Sequence, residues 1–428
     1  MFGKNHLRKA LNKLSTAREV HKERHRPTGF GFAIADRLDY LNPEHWDAVT
    51  GDRSFFLSRP YLHTLVAHGP ETIDPRFALV FRDQKPVAAI SMQLLKVSAD
   101  RLMKGKASTV ALERKRDKFK QAMLPVAQKV GANLRERVLI CGNLLSWGCH
   151  GVAFAPGEDP AELWPAVAEA LNRVRRTERL AGPSDFSVIK DITAAHARGV
   201  DALDRHSFRR VETDPNMVLE FRPDWKGYPD YLAALDSKNR KSALQNVKKL
   251  EAAGCTVELL KDPTPHMERL HELYMAVQGN NTMRLFSITP EFIPALARAC
   301  GDTFRCTVIR QGEKILGFVT TVKDGDTAIG WYVGFDREAA AELPLYLRLL
   351  HAVVGDSLAL GCKRLSLGRT ALEPKARLGA KPEPMSVWIR HRVPVLNAAL
   401  RRILDAIPHA EAPERNPFKQ ENPTPQAE

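Results

Sequence analysis

The residues best suited to bind an anionic group follow a short alternating run near the C-terminal end of the chain. Gly368, Arg369 and Thr370 come directly after the alternating Leu365 and Leu367. The alternation predicts a strand, and ligands of α/β folds bind beyond the carboxyl ends of strands. A guanidinium at that place binds a carboxylate or phosphate through two parallel hydrogen bonds. Ordinary ion pairing within the loop is the alternative.

Lys375 extends the same candidate site. It lies six residues after Arg369, and Gly379 beyond it predicts a tight turn that presents the lysine. An ammonium group adds a point charge beside the guanidinium. We therefore predict that Arg369, Thr370 and Lys375 contact a substrate.

A second set of polar side chains follows helical spacing. Residues 231–253 predict one helix, in which four side chains three and four positions apart share a face: Lys238, Lys241, Gln245 and Lys248. Such a stripe can hold the phosphates of a nucleotide-linked or tRNA ligand. A solvated basic face is the alternative.

An aromatic pair is the third candidate. Trp331 and Tyr332 lie in a predicted strand over residues 327–335, so their rings should point to opposite faces. We predict that they line an acyl channel, with core packing as the alternative. Gly334 predicts a bulge where the sheet splays apart, and residues 141–143 are its counterpart in the first half of the chain.

Cysteine and histidine spacing predicts no metal site. The six cysteines form no CxxC motif, which favours thiols in a reducing compartment over disulfides or zinc. Four histidines lack metal-ligand spacing: His206, His266, His271 and His351. No catalytic base is identified from the sequence.

The elements that must position these residues occur twice. Pro60 and Pro290 each predict the first turn of a helix, and each is followed by two apolar runs around a polar turn, which predict a hairpin. The order strand, helix, strand then recurs, at 138–141, 161–176 and 186–189 and again at 327–333, 342–360 and 364–367. We predict a tandem duplication with a mixed α/β sheet, antiparallel first and parallel later.

Composition and charge bound the class of protein. The 428 residues are 44% hydrophobic and 27% charged, which excludes a disordered scaffold, a collagen-like rod and a disulfide mini-protein. Of the net charge of +14, residues 1–30 carry +6 and residues 100–137 carry +7. These segments favour anionic lipid or nucleic acid as partners, or are solvated basic faces.

Targeting signals are not evident in the sequence. The N-terminus has no apolar core of a signal peptide, and no stretch approaches the roughly 18 apolar residues that a membrane span needs. We predict a cytoplasmic protein, with the inner membrane face as the place of any peripheral contact.

The domain prediction has four parts. We expect a basic arm over 1–29, a first domain over 30–222 with a basic helical insertion at 100–137, a second domain over 223–405 that carries the main ligand site, and a disordered Pro-rich tail over 406–428. The linker is expected near residues 222–227.

Several strings, in order, resemble one family. They are Cys141-Gly142-Asn143-Leu144, Leu235 through Lys241, Trp331-Tyr332-Val333-Gly334, Leu367 through Thr370, and Lys375 with Leu378-Gly379-Ala380. Across roughly residues 30–400 the chain resembles the tandem GNAT-type acyltransferases of the bacterial FemAB and BioF2-like group. The resemblance implies two GNAT-like domains, transfer of an acyl or aminoacyl group to an amine, and substrate contact by Lys238 and Arg240.

The resemblance also points to a phosphate-binding loop that this chain lacks. Acetyl-CoA-using GNAT enzymes carry a Gln/Arg-x-x-Gly-x-Gly/Ala loop, whereas here only Arg337 of residues 337–344 fits and both glycines are missing. Glu342, and Glu158 and Asp159 in the first half, would repel a phosphate. Arg337 is therefore the one candidate for contact with a CoA cofactor, and an aminoacyl-tRNA donor is favoured over free acetyl-CoA.

Three functions remain open at this point. The leading one is an N-acyltransferase or aminoacyltransferase acting on an amine of a small metabolite or cell-envelope precursor. The second is a non-catalytic binding protein whose basic segments hold RNA or an anionic membrane. The third is an acetyl-CoA-dependent N-acetyltransferase with an altered loop.

Overall fold

Helices and strands alternate along the chain in the computed structural model, which describes residues 26–51, 53–98, 135–279, 287–404 and 413–419. The first half contains strands β1 (Gly31–Ala35), β2 (Ile73–Arg82), β3 (Lys85–Ser98), β4 (Arg135–Cys141), β5 (Val152–Phe154), β6 (Phe186–Ile192) and β7 (Arg209–Glu220). Its helices are α1 (Pro43–Thr50), α2 (Arg59–His68) and α3 (Pro160–Thr177). The basic arm up to residue 25 and the insertion over 99–134 lie outside the described residues.

The second half repeats this order. Its strands are β8 (Cys255–Leu259), β9 (Phe304–Gln311), β10 (Lys314–Asp324), β11 (Thr327–Phe335), β12 (Arg364–Ser366) and β13 (Lys381–His391). Its helices are α4 (Tyr228–Ala234), α5 (Ser237–Ala252), α6 (Met267–Gln278), α7 (Phe292–Cys300), α8 (Arg337–Glu342), α9 (Leu345–Ala359), α10 (Leu372–Ala376) and α11 (Pro394–Leu404). Both hairpins and every strand–helix–strand unit expected from the repeat are present.

The described strands form one sheet whose two halves exchange their last strands. The order is β1-β2-β3-β4-β6-β13-β7-β12-β11-β10-β9-β8, with β5 on β3. In each half the early strands are antiparallel and one late pair is parallel, β4 with β6 and β11 with β12. Strand β7, from the first half, pairs with β12, whereas β13, from the second half, pairs with β6. The fold is therefore mixed α/β with two GNAT-like halves, each completed by a strand of the other.

Apolar residues fill both faces of this sheet. One face carries a core shared by the halves, in which Trp46, Phe56 and Tyr61 lie in one cluster with Phe292 and Phe318. The other face carries two separate cores, one under α3 and one under α4 and α9. Period-2 alternation places neighbouring strand residues in different cores. The shared core joins the halves into one unit.

The helix expected over 231–253 is interrupted. Leu235 is extended, and Asp236 begins a new helix by accepting a hydrogen bond from the Asn239 backbone N–H at 2.7 Å. An aspartate at an N-cap satisfies a donor that would otherwise lack a partner. The single-helix prediction was wrong because this cap competes with continuation of α4.

The expectation of disorder was wrong for residues 413–419. Phe418 forms a β-bridge with Leu235, and its ring centroid lies 5.4 Å from that of Trp225. The Asp236 backbone N–H donates to the Pro417 carbonyl at 2.8 Å. Apolar contact and backbone pairing here outweigh the high proline content of the tail. The rest of that tail lies outside the described residues.

Candidate functional site

A loop of the first half reaches the point where a parallel strand pair of the second half separates. The loop, residues 142–151, is closed at both ends by the backbone of Ser91. The Ser91 carbonyl accepts from the Gly142 N–H at 3.2 Å, and the Ser91 N–H donates to the Gly151 carbonyl at 2.8 Å. Strands β11 and β12 pair only from Thr327–Arg364 to Ile329–Ser366. A splayed parallel pair leaves unpaired backbone and space for a ligand.

Two indole groups connect the loop to those strands. Trp147 donates its Nε1–H to Ser366 Oγ at 2.7 Å, and Trp331 donates its Nε1–H to the Leu145 carbonyl at 2.6 Å. A side chain at Gly368 would meet the Trp147 ring at 3.1 Å, and the glycine has φ of +79°. Gly368 therefore allows the loop to close on the end of β12.

A cavity of about 560 Å³ lies beside this contact, and both halves line it. We call it the inter-half cavity. Its first-half residues come from residues 53–57, the 142–151 loop, β5, the start of α3, the turn after β6, and β7. Its second-half residues come from the β10–β11 turn, β11, β12 and β13. Its charged lining residues are Arg53, Glu158, Asp324, Asp326, Arg364 and Glu383. Four carboxylates against two guanidinium groups give the lining an acidic excess. Three of the carboxylates form ion pairs, Glu158 with Arg82, Asp326 with Lys363 and Glu383 with Arg364, which leaves Asp324.

A row of polar side chains crosses between the halves at the cavity wall. Ser146 Oγ lies 2.8 Å from His150 Nδ1, and His150 Nε2 lies 3.4 Å from Asp324 Oδ2. Asp324 also accepts from the Phe55 backbone N–H at 2.6 Å. Within the described residues no lysine or arginine pairs with Asp324. Its carboxylate therefore faces the cavity with hydrogen-bond donors around it and no fixed cationic partner.

His196 provides an imidazole at the cavity rim. Its Nδ1 lies 2.9 Å from Thr193 Oγ1, which leaves Nε2 for other partners. Burial lowers the pKa of His196, with a further decrease from His150, while Glu383 and Asp324 raise it. The net decrease keeps the imidazole neutral near pH 7 and able to accept a proton.

A polar network centred on Asn216 forms another wall of the inter-half cavity. Its Oδ1 accepts from Gly368 N–H at 3.0 Å and from Ser366 Oγ at 3.1 Å, while its Nδ2 donates to Glu383 Oε2 at 3.2 Å. Glu383 also forms an ion pair with Arg364 at 2.8 Å. The end of β12 is thus fixed against β7 and β13.

Arg369 holds the two halves together. Its guanidinium and the Lys190 ammonium both pair with Asp191, whose side chain is fully buried. Burial alone would raise the pKa of Asp191, but Lys190 and Arg369 hold it below its ordinary value. Since Arg369 lies three residues after β12 and Asp191 is the penultimate residue of β6, this pair couples the two strand ends.

Lys375 is buried, and no carboxylate of the described residues pairs with it. Its Nζ donates to the Gly368 carbonyl at 3.2 Å, and burial lowers its pKa to about 7. A buried amine with such a pKa is costly to keep, and perturbed groups of this kind concentrate at functional sites. The structure thus brings Lys375 and Arg369 together at Gly368, as their sequence proximity predicts.

The aromatic pair departs from its prediction. Trp331 and Tyr332 point the same way, with ring centroids 4.9 Å apart and nearly parallel planes, and both lie in the shared core. The two residues oppose the single residue Thr320, whose Oγ1 accepts from the Tyr332 backbone N–H at 2.9 Å. The bulge lies at Trp331 and Tyr332 rather than at Gly334. Its extra residue interrupts the alternation of side chains between the two faces of the sheet. The prediction of opposed rings was therefore wrong.

The other predicted residues lie apart from the inter-half cavity. Lys238 lines a separate groove of about 420 Å³ between α5, α9 and α10, whereas Arg240 lies on another face of α5 beside Lys241 and Lys248. Thr370 is exposed. Arg337 is exposed and donates to the Ala276 carbonyl at 2.7 Å. Their substrate roles stay predictions.

Both helix starts that follow the splayed strands carry aspartate caps. Asp336 accepts from Ala339 N–H at 3.1 Å and pairs with Arg269 and Lys314, while Asp159 accepts from Ala161 N–H at 3.0 Å. The carboxylates occupy the N–H groups that a CoA pyrophosphate would need. The geometry agrees with the missing glycines.

Metal chemistry finds no support in the described part of the chain. No group of three or more His, Cys, Asp or Glu side chains there could hold a metal ion. All six cysteines are buried and unpaired. No described helix is long and apolar enough to cross a bilayer.

Sequence reasoning missed His150, His196 and Asp324. Asp324-Gly325-Asp326 has the composition of a hairpin turn, and the two histidines lie in loops with no motif around them. Only the three-dimensional contact across 174 residues joins Asp324 to His150.

A family model described as an acetyltransferase (GNAT) domain matches residues 237–376. The match lies in the second half and confirms the expected GNAT fold and acyltransferase class. Residues 237–376 are therefore similar to a GNAT acetyltransferase domain, and the strand order shows that the same order of elements occurs twice among the described residues.

Solved structures with a similar fold are distant. FemX is 11% identical, with a TM-score of 0.48, covering 87% of this chain and 99% of that chain. A tandem GNAT protein from the clavulanic acid biosynthesis pathway is 13% identical, with a TM-score of 0.45, covering 85% and 99%. L-PGS from Bacillus licheniformis is 11% identical, with a TM-score of 0.46, covering 80% and 95%. At these values the similarities carry no information about substrate.

No curated protein matches the chain.

Proposed function

We propose that the protein transfers an acyl or aminoacyl group to a cationic amine that binds in the inter-half cavity. The observation that carries this proposal is the cavity's acidic lining, in which Asp324 has no fixed cationic partner among the described residues. An ammonium group would neutralise that carboxylate, and the indole groups of Trp147 and Trp164 line the same cavity. A small metabolite or a cell-envelope precursor with an exposed amine fits this chemistry.

In this proposal His196 acts as the general base. An ammonium cannot attack a carbonyl, so one proton must leave it before the C–N bond forms. The neutral His196 accepts that proton at Nε2 and passes it to water. The amine then attacks the acyl carbon, and the bond from that carbon to the donor's oxygen or sulfur breaks. The nitrogen loses a second proton as the amide forms, and His196 transfers that proton to the leaving oxygen or sulfur.

The remaining residues act by positioning. Asn216 and Lys375 fix Gly368, and the Arg369–Asp191 pair fixes the ends of β12 and β6. In this proposal Arg369 and Lys375 shape the site, whereas Lys238 and Arg240 remain candidates for a donor's phosphates. The FemAB-like assignment, a tRNA-borne donor and a cytoplasmic location belong to the same proposal.

Acetyl-CoA is the less favoured donor. Asp336 and Asp159 occupy the helix starts where its pyrophosphate would bind. Calorimetry with CoA at millimolar concentration should therefore show no binding, and tight binding would replace this donor assignment with the acetyl-CoA alternative.

The test is acyl transfer by the full chain from charged tRNA and from acyl-CoA to 1,5-diaminopentane. We expect His196→Gln to lower kcat about 100-fold or more and to remove an acid limb of the pH profile with an apparent pKa below 6.5. The matched control is His266→Gln, since His266 lies outside the cavity lining. Equal losses in both variants would refute the role of His196, and absence of transfer with every donor would refute the proposal.

A further inference from the structure

Four arginines lie near the end of α3 on the first half, and their charge is opposite in sign to that of the acidic cavity. Arg175, Arg176 and Arg179 follow one another there, and Arg392 comes from the loop after β13. Arg390, two residues before Arg392, donates to Asn172 of α3 at 3.0 Å, which places the end of β13 beside the end of that helix. Burial lowers the pKa of Arg175, and the charges of Arg176, Arg392 and Arg179 lower it further. Like charges near one another repel, and a bound anion offsets that repulsion.

These charges are poorly neutralised. Arg392 pairs with Asp185 at 2.6 Å, but within the described residues no carboxylate lies within ion-pair distance of Arg175, Arg176 or Arg179. The nearest acid along the chain, Glu178, is already held by Arg76 and Arg137. The cluster therefore carries a net positive charge.

Exposed apolar side chains stand among the arginines. Leu180 follows Arg179 and is 101% exposed, and Val395 lies three residues after Arg392 and is 77% exposed. Together, Arg175, Arg176, Arg179, Leu180, Arg392 and Val395 form what we call the arginine face. Apolar side chains beside basic ones are the combination by which a surface binds at the boundary between lipid headgroups and acyl chains.

Two further basic stretches of sequence join the chain beside this face. Residues 1–25, with seven Lys/Arg and two Glu, lead into Arg26, which lines a small pocket with Arg173 and Arg176. Residues 99–134, with nine Lys/Arg and three acids, join between Ser98 and Arg135, which pair at the β3–β4 end. Two residues further on, Arg137 bonds to Glu178 and Gly182. Nearly all of the protein's excess charge thus enters at one end of the molecule.

We propose that the arginine face docks on an anionic phospholipid surface. Arginine binds lipid phosphates through two parallel hydrogen bonds, and each basic side chain near such a surface strengthens binding roughly fivefold. Leu180 and Val395 favour lipid over RNA, because aliphatic side chains enter the interface between headgroups and acyl chains, whereas single-stranded RNA is held by stacking on aromatic rings, which the arginine face does not contain. The surface is independent of the acyl transfer proposed above.

The test is co-sedimentation of the full chain with vesicles of phosphatidylcholine alone or with 30% phosphatidylglycerol. We expect binding only to the anionic vesicles, weakened at least tenfold by Arg176→Glu with Arg179→Glu. Lys249→Glu with Lys261→Glu, an equal charge change on exposed residues of the second half, should leave the affinity within about twofold. Leu180→Ser should weaken binding severalfold and leave its salt dependence unchanged, since it removes no charge.

Three outcomes would overturn the proposal. The first is equal binding to both kinds of vesicle, and the second is equal weakening by the two charge-reversed pairs. The third is tight binding of uncharged tRNA that the Arg176 and Arg179 reversals abolish while the anionic vesicles remain unbound, which would assign the face to nucleic acid. None of these measurements depends on catalysis, so failure here leaves the transferase proposal standing.

Discussion

The two halves share an order of elements, and they differ at the end of their parallel strand pairs. In the first half β4 stops at Cys141, the chain turns away into the 142–151 loop, and the inter-half cavity opens beyond β6. In the second half β11 continues to Phe335 through a bulge, and its two bulged aromatic residues fill the shared core. One duplicated unit has therefore kept an open crevice where the other has packed side chains.

This difference shows that the half matched by the family model need not supply most of the cavity lining. The GNAT family model covers residues 237–376, yet most of the inter-half cavity's lining comes from the first half. The second half contributes walls, chiefly Asp324, Ser366 and the residues that fix Gly368. The exchange of β7 and β13 explains how each half comes to complete the other.

The largest expected effect on stability is at the ion pair that joins the ends of β6 and β12. Asp191→Asn would leave Arg369 and Lys190 beside a neutral partner, and breaking a buried ion pair should lower the free energy of unfolding by about 3 kcal/mol. Asparagine tolerates the φ of +59° at this position, so backbone strain is not added. Urea unfolding measures the change, with exposed Asp302→Asn as control. A change below about 0.5 kcal/mol, which is the usual range for surface substitutions, would show that the strand ends are not coupled.

The docked segment near residue 418 belongs to the second half alone. Phe418→Ala should lower the free energy of unfolding by about 2 kcal/mol, because its ring packs on Trp225 and Tyr231. Leu180→Ala, at a fully exposed position, is the control and should be near neutral. Identical urea midpoints for Phe418→Ala and the wild type would mean that the segment adds nothing to this half.

Lys375 should destabilise the native state. Its pKa is about 7 in the folded protein and higher when unfolded, so the unfolded chain binds more protons between about pH 7 and 10. Stability from this group therefore rises with pH across that window and is lowest below pH 7.

Replacing the ammonium tests that sign. Lys375→Met should stabilise the protein by about 1–2 kcal/mol at pH 7 and flatten the rise toward pH 10, while acyl transfer falls. Thermal unfolding at several pH values measures the change, with exposed Lys261→Met as control. Destabilisation at pH 7 with full activity would mean that Lys375 is a structural residue.

The sequence predicted the fold better than the site, for physical reasons. Local patterns mark the hairpins and the β12 end with Arg369, since strand alternation and turn residues are short-range signals. The strand exchange, the Arg369–Asp191 pair and the His150–Asp324 contact join residues more than 140 positions apart, and no local pattern encodes them. The bulge at Trp331 was missed because a single extra residue reverses which way a side chain points.

The central claim is that a cationic amine binds in the acidic inter-half cavity, and Ala195 tests it most directly. Its exposed side chain lines the rim, so Ala195→Lys and Ala195→Glu alter the local charge with little loss of contact. Calorimetry with 1,5-diaminopentane should show about fivefold weaker binding for the lysine variant and about fivefold tighter binding for the glutamate variant. Pentane-1,5-diol should respond to neither. Diamine binding that is the same in both variants would contradict the claim.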